Sequence, residues 1–287
     1  AQYNLAMLYH QGNGVTQEYK EAVKWYRKAA ERGIAEAQYN LAMLYHQGNG
    51  VTQDYKEAVK WFRKAAERGI AEAQHSLALR YHQGNGVTQN YKEAVKWFRK
   101  AAEQGNAEAQ YNLAVMYYMG RGVTQDYNEA VKWFRKAAEQ GHAEAQHRLS
   151  GMYSQGRGVT QDYNEAAKWF RKAAQQGIAE AQHNLAGMYY EGRGVTQDYN
   201  EAVKWFRKAA EQGYAEAQYY LAIMYSLGRG VLKNEITGHA WGLIASMNGH
   251  TKAKEIINAR EKNMRRSDRL AARKEAKQIR EEIERKK

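Results

Sequence analysis

The chain has 287 residues, no cysteine and no proline, and a formal net charge of +13 from 44 Lys and Arg against 31 Asp and Glu. Without cysteine there are no disulfide frameworks, no cysteine-based zinc sites and no thiol catalysis. No apolar run approaches the length needed to span a bilayer. The opening Ala1-Gln2 matches Ala37-Gln38, so the chain opens two residues inside a repeating unit. The natural start is expected upstream, and any targeting segment with it.

Seven tryptophans, Trp25, Trp61, Trp97, Trp133, Trp169, Trp205 and Trp241, recur every 36 positions. A fixed period of that size marks a stack of copied supersecondary units. The copy from Ala35 to Ile70 stands for the others. Its first half predicts a helix with Ala37, Gln38, Leu41, Ala42 and Tyr45 on one face. Gly48 and Gly50 end it, with Gly48 as a left-handed C-cap and Asn49 able to share that backbone region. The second half, Thr52 to Glu67, predicts a second helix with Thr52 as N-cap and Asp54 in the first turn, where the helix dipole favours a carboxylate. Its apolar set is Ala58, Val59, Trp61, Phe62, Ala65 and Ala66; Lys60, Arg63, Lys64 and Glu67 are left to solvent, and Gly69 closes it. Neither helix can bury its stripe alone, so neighbouring copies must stack.

These residues match a family. The run from Leu113 to Gly141, L-A-x-M-Y-x-x-G-x-G-V-x-x-D-Y-x-x-A-x-x-W-F-x-K-A-A-x-x-G, resembles the Sel-one-like repeat, a subclass of the tetratricopeptide-like helical repeats, and recurs across residues 1–250. The ordinary tetratricopeptide period is about 34 residues; 36 and the G-x-G-V turn favour the Sel-like form. The resemblance implies an all-α, right-handed superhelical solenoid whose first helices line a concave groove. It further implies an adaptor that binds a protein or peptide, with no enzymatic activity and no cofactor in the repeats, in a bacterial protein exported to the periplasm or beyond.

The seventh copy keeps Trp241 and Gly249 in register but has Glu235 for the usual tyrosine and Gly242 for the usual phenylalanine. A terminal repeat is expected to be atypical. Residues 251–287 form a separate basic segment. Thr251 to about Lys262 reads as one helix, and Ser267 caps a last one with Leu270, Ala272, Ala276, Ile279 and Ile283 on one face. Packing onto the open end of the array is favoured over a free partner helix.

Copy-to-copy differences mark a candidate binding face. Three rows of the first helix vary: Asn4, Asn40, Ser76, Asn112, Arg148, Asn184, Tyr220; Met7, Met43, Leu79, Val115, Gly151, Gly187, Ile223; and His10, His46, His82, Tyr118, Ser154, Tyr190, Ser226. The exposed Lys60, Arg63 and Lys64 recur unchanged in the six good copies. Two readings stand: a groove tuned repeat by repeat for an extended ligand, or recent duplication with accidental changes. The groove reading nominates Tyr111, Asn112, Val115, Tyr118, His147, Arg148, His183, Asn184 and Tyr190. Tyrosine supplies contact area at low entropic cost and asparagine adaptable hydrogen bonds.

Other chemistries find less support. Histidines such as His10, His46 and His82 sit one repeat apart, about 8–10 Å by helix packing, whereas zinc ligands lie about 2.0–2.1 Å from the ion; no metal is expected. The G-x-G pairs lack a following Lys-Ser or Lys-Thr and a preceding strand, so they read as turns rather than a phosphate loop. Glu57 and its equivalents read as ion-pairing surface. The rival to a protein-binding scaffold is an anionic ligand, nucleic acid or membrane surface, held by the tail. Residues 251–287 carry 14 Lys and Arg against 7 Asp and Glu, including Arg260, Lys262, Arg265, Arg266, Arg269, Arg273, Lys274 and Lys277. Interleaved Glu275, Glu281, Glu282 and Glu284 favour a solvated helix instead. Residues 242–287 also offer no aromatic to stack on bases.

Overall fold

The computed structural model describes residues 1–285. Among them are sixteen α-helices and no strand. They divide into two units, Ala1–His142 and the chain from Ala143 onward. The first unit holds α1 (Gln2–Gln11), α2 (Tyr19–Glu31), α3 (Ala35–Gln47), α4 (Tyr55–Glu67), α5 (Ala71–Gln83), α6 (Tyr91–Glu103), α7 (Ala107–Met119) and α8 (Tyr127–Glu139). The second holds α9 (Ala143–Gln155), α10 (Tyr163–Gln175), α11 (Ala179–Glu191), α12 (Tyr199–Glu211), α13 (Ala215–Leu227), α14 (Glu235–Met247), α15 (Thr251–Glu261) and α16 (Arg266–Arg285). Within each unit an odd-numbered first helix packs on the second helix of its own repeat. That second helix packs on the next first helix, which is the arrangement of a helical solenoid.

The periodic reading places the core of the second repeat well. Ala58, Val59, Trp61, Phe62, Ala65 and Ala66 are the buried residues of α4. On α3 the buried set is Ala37, Gln38, Leu41, Ala42 and Leu44. Tyr45 is only partly buried, because its hydroxyl reaches out to accept a 2.6 Å hydrogen bond from Arg27 Nη2 of the preceding repeat.

The start of the second helix needs two corrections. The second helix begins at Tyr55 rather than Thr52, and Asp54 is itself the N-cap, accepting from the amides of Lys56 and Glu57. An extended backbone at Asp54 points its carboxylate at the second and third amides of the helix, a place the Thr52 hydroxyl does not occupy. Asn49 does not adopt positive φ; Gly48 (φ 78) and Gly50 (φ 73) do. The second glycine has a packing reason as well, since a Cβ on Gly50 would overlap the backbone carbonyl of Tyr19 in the preceding repeat.

A buried amide ladder ties successive repeats. Gln110 donates through Nε2 to Ala102 O at 3.0 Å and accepts from Gln140 Nε2 at 2.8 Å. Gln74 with Gln104, and Gln182 with Gln212, repeat the pattern, and Asn248 takes the donor's place over Gln218. The ladder breaks in the second repeat. Position 68 is an arginine there, its guanidinium lies against Gly33, and Gln38 Oε1 is buried without a partner.

At the far end, α15 starts 36 residues after α13 and buries Ala253 and Ile257 at the places of Ala217 and Leu221. Its chain therefore continues the first-helix register. Helix α16 turns back onto α14, burying Ala272 and Ala276, with Ile279 and Ile283 against the core of the second unit. Thr237 Oγ1 donates to Glu275 at 2.7 Å across that contact.

This packing sets two stability expectations. Trp133 is 5% exposed whereas Trp25 is partly exposed, so Trp133→Ala is expected to cost about 3–5 kcal/mol and Trp25→Ala clearly less. Chemical denaturation of the two variants checks this; equal midpoint shifts would count against stacked burial. Arg68→Gln restores the missing donor to Gln38 and is expected to stabilise by about 1 kcal/mol. The same substitution at an exposed arginine outside the ladder, Arg148→Gln, serves as control and should leave the melting temperature near that of the parent.

Candidate functional site

The nominated residues fall on three first helices: Tyr111, Asn112, Val115 and Tyr118 on α7 of the first unit, and His147 and Arg148 on α9 with His183, Asn184 and Tyr190 on α11 of the second. They do different jobs. The Tyr111, His147 and His183 rings lie across their own hairpins, with centroids 5.8, 5.8 and 5.4 Å from Phe134, Phe170 and Phe206. Tyr111 also stacks on His142 at 4.6 Å and 18°. These side chains belong partly to the core.

The asparagine row links neighbouring first helices. Asn112 Nδ2 donates to Glu108 O at 2.9 Å and lies 3.1 Å from His75 Nε2, and Asn184 Nδ2 lies 3.5 Å from His147 Nε2. Tyr118 and Tyr190 pack on the tyrosine that opens the following helix, Tyr127 at 5.3 Å and Tyr199 at 5.4 Å. Val115 is half-buried, and Arg148 is exposed. In the second unit Tyr220 joins two nominated residues, standing 5.6 Å from His183 and 6.2 Å from Tyr190. Arg229 lies over the Tyr190 and Tyr199 rings and donates to the Tyr190 hydroxyl. Tyr220 and Arg229 lie outside the nominated set, although Tyr220 ends the asparagine row and so carries a readable signal. Arg229 sits in the turn, where no first-helix periodicity points to it.

The invariant cations of the second helix have structural work. Arg63 Nη2 donates to the Tyr81 hydroxyl of the next repeat at 2.6 Å, as Arg99 does to Tyr117 and Arg171 to Tyr189. Lys64 Nζ lies 4.3 Å from the Trp61 ring centroid, a cation–π contact of about 0.5–1 kcal/mol at an exposed site. Lys60 pairs with Glu57 at 3.1 Å. In the fourth repeat the equivalent Glu129 also accepts from the Trp133 indole at 3.1 Å. Arg63 thus joins neighbouring repeats while Lys60 and Lys64 make contacts within their own helix, so the constancy of these residues is no yardstick for drift at a free surface.

One row remains open. A Cβ on Gly151 or on Gly187 would have nothing within 4 Å, so the change from Met43 to glycine along that row is not dictated by packing. Glycine in a helix interior costs about 1 kcal/mol relative to alanine. Two such glycines at equivalent places on α9 and α11 give up stability that no neighbour requires, beside Arg148 and Tyr190.

Burial holds the His75, His147 and His183 pKa values below the usual imidazole value, so these rings are neutral near pH 7. It pushes Tyr220 up, with the Glu216 carboxylate adding to the shift. Among the described residues no group of three or more His, Asp or Glu converges as metal ligands would. None of their helices is long and apolar enough to cross a membrane.

Tandem helical hairpins joined through buried ladders define a protein of the tetratricopeptide-like solenoid class, a fold that generally mediates protein–protein interaction. Residues 1–34, 35–70, 71–106, 107–142, 143–178, 179–214 and 215–250 each match the Sel1 repeat. The chain belongs to the Sel1 repeat family, whose scaffolds are typically non-enzymatic. It is similar to the crystal structure of a Sel1 repeat protein from Oxalobacter formigenes, with 38% identity over 90% of this chain and 75% of that one, at a TM-score of 0.72. It also matches a protective antigen present in uropathogenic Escherichia coli strains, with 32% identity over 98% and 83% of the two chains and a TM-score of 0.41. No curated protein matches the chain.

Seven of the nine histidines, His10, His46, His75, His82, His147, His183 and His239, have pKa values lowered by burial. As pH falls through about 6.5 the unfolded chain takes up protons before the folded one does, so stability is full above that value and declines below it. The melting temperature is expected to be lower at about pH 5.5 than at about pH 7.5, a window above most carboxylate titration. A flat or rising profile in a circular dichroism melt would contradict it.

Proposed function

We propose that the chain is a scaffold that holds a peptide or protein partner against the exposed faces of its first helices, with the contact centred on α9 and α11 of the second unit. The single observation that carries the reading is the pair Gly151 and Gly187, which open space on adjacent first helices at a cost in helix stability that packing does not explain. A glycine lets a partner's backbone approach closely. Around it, Arg148 supplies an exposed charge, Tyr190 an amphipathic ring, and Asn184 a hydrogen-bonding amide.

The rival reading, an anionic ligand on the C-terminal segment, has less support. Arg273 is paired with Glu261 at 3.1 Å, Arg265 with Asp268 at 2.8 Å and Lys277 with Glu281 at 3.8 Å, while Arg269 donates to Glu261 O. Three of its cations are thus already paired within the protein.

Affinity capture from the source cells with the parent chain, a Gly151→Leu/Gly187→Leu variant and an Arg148→Ala variant tests the proposal, with bound proteins compared by mass spectrometry. Both variants should keep the helical circular dichroism spectrum, and the leucine pair should raise the melting temperature. Both should lose the proteins retained by the parent. Retention of the same proteins by the folded variants would reject this surface, and retention abolished by salt alone would point to the charged segment instead.

A further inference from the structure

The seventh repeat borders a cavity at a place where the second repeat packs two rings of its own. The chain supplies the comparison, because positions 180 residues apart are equivalent through five repeats of 36. In the second repeat, His46 on α3 packs on Tyr55 of α4 with ring centroids 5.4 Å apart. Arg80 from α5 reaches that pair, its Nη1 lying 3.2 Å from His46 Nδ1, and in the sixth repeat Arg229 lies over the faces of the equivalent Tyr190 and Tyr199 rings. The equivalents at the far end are Ser226, Glu235 and Arg260. The arginine is kept and both rings are gone.

What they leave is a cavity of about 610 Å³ bounded by Ser226, Ile236, His239, Ile256, Arg260 and Met264, among others. That size lies within the roughly 300–1,000 Å³ of ordinary ligand sites. Loss of a ring does not always leave room. Gly242 replaces the core phenylalanine, but Ile257 Cδ1 would lie 2.7 Å from a Cβ there and takes up most of the vacated space, leaving a void of about 40 Å³. At the ring site Arg260 reaches down to Ser226, and the larger cavity stays open beside it.

Polar groups in the wall are unevenly satisfied. Arg260 donates to the neutral Ser226 Oγ at 2.8 Å and makes no ion pair among the described residues. The nearby carboxylates are taken: Glu235 by Lys233 at 3.0 Å, Glu261 by Arg273 at 3.1 Å, and Asp268 by Arg265 at 2.8 Å. His239 stands where the other second helices bury a valine or, in α10, Ala167, and is 1% exposed. Its Nε2 faces Glu261 at 3.4 Å, and its Nδ1 has no partner. A guanidinium free of carboxylate, in the wall of a space where Ile236, Ile256 and Met264 stand among polar groups such as Glu235 and Asn263, suits the face of an aromatic ring that also carries a hydroxyl.

We infer that this cavity receives an aromatic side chain, a tyrosine, from a protein partner. The incoming ring sits beneath Arg260 in the place that the His46 and Tyr55 rings hold in the second repeat. The inference rests on the scaffold reading above but uses a different surface, and it can be tested on the full chain without the partner.

The probe is N-acetyl-L-tyrosine amide, titrated into protein with labelled isoleucine and methionine methyl groups. N-acetyl-L-leucine amide and free L-tyrosine are run alongside. Saturable shifts of the Ile236, Ile256 and Met264 methyls are expected with the blocked tyrosine, several-fold weaker with the leucine probe. Free tyrosine should bind no more tightly than the blocked form. Ser226→His with Glu235→Tyr rebuilds the second-repeat pair and should remove the response while raising the melting temperature. Arg260→Gln, which leaves the cavity open, should weaken the response several-fold, and it decides the matter if the rebuilt variant does not fold. Absence of saturable shifts in the parent, equal response to the leucine probe, or a response indifferent to Arg260→Gln would overturn the inference. Tighter binding of free tyrosine would assign the cavity to a small molecule and overturn the partner side chain as its occupant. Loss of binding at the glycine face would leave these results standing, so the two proposals fail separately.

Discussion

Within each unit the structure depends on the interface between one hairpin's second helix and the next hairpin's first. A hairpin of two thirteen-residue helices cannot bury its apolar stripe alone, and the interface is close because alanines such as Ala65 and Ala66 and glycines such as Gly50 admit helix backbones side by side. Close approach also buries backbone carbonyls at the ends of the second helices. Gln110 resolves this by donating to one layer while accepting from the next. An unsatisfied amide at that depth would cost about 1–3 kcal/mol, so the ladder enforces register between repeats as well as adhesion.

The same interface changes the meaning of repetition along the chain. Residues that look like surface charge, Arg63 and Lys64, brace the next repeat's tyrosine and their own tryptophan. Residues that look like binding determinants, Tyr111, His147 and His183, lean on the core phenylalanines. Constancy and variation along a repeat are therefore both filtered by packing. Packing expresses no such preference at Gly151 and Gly187, where an added Cβ would meet nothing within 4 Å.

At the end of the array the interface has no further repeat to serve, and the pattern relaxes. Helix α15 keeps the register of a first helix, with Ala253 and Ile257 in the expected places. No matching second helix succeeds it among the described residues, and α16 lies on α14 instead. Freed from the repeat pattern, the seventh copy exchanged bulky side chains for Ser226, Glu235 and Gly242. One loss was refilled by Ile257 and the other left a cavity. Degeneracy in sequence thus has two different structural outcomes within one repeat.

The helices, their period and nearly all of the second-helix core were legible from the residues alone, because a stripe recurring at helical spacing within a strict 36-residue copy admits few alternatives. The turn was less so: Asp54 and Thr52 are both acceptable caps by type, and only the backbone path says which oxygen meets the free amides. The candidate faces were legible as rows but not as roles. Whether Asn112 waits for a partner or reaches His75, and whether Glu235 and Gly242 leave space or have it taken, depends on side chains 15 to 37 residues away in sequence. Local periodicity determined which residues turn inward, and the tertiary structure decided what each of them meets there, since contacts between layers join residues that no helical spacing relates.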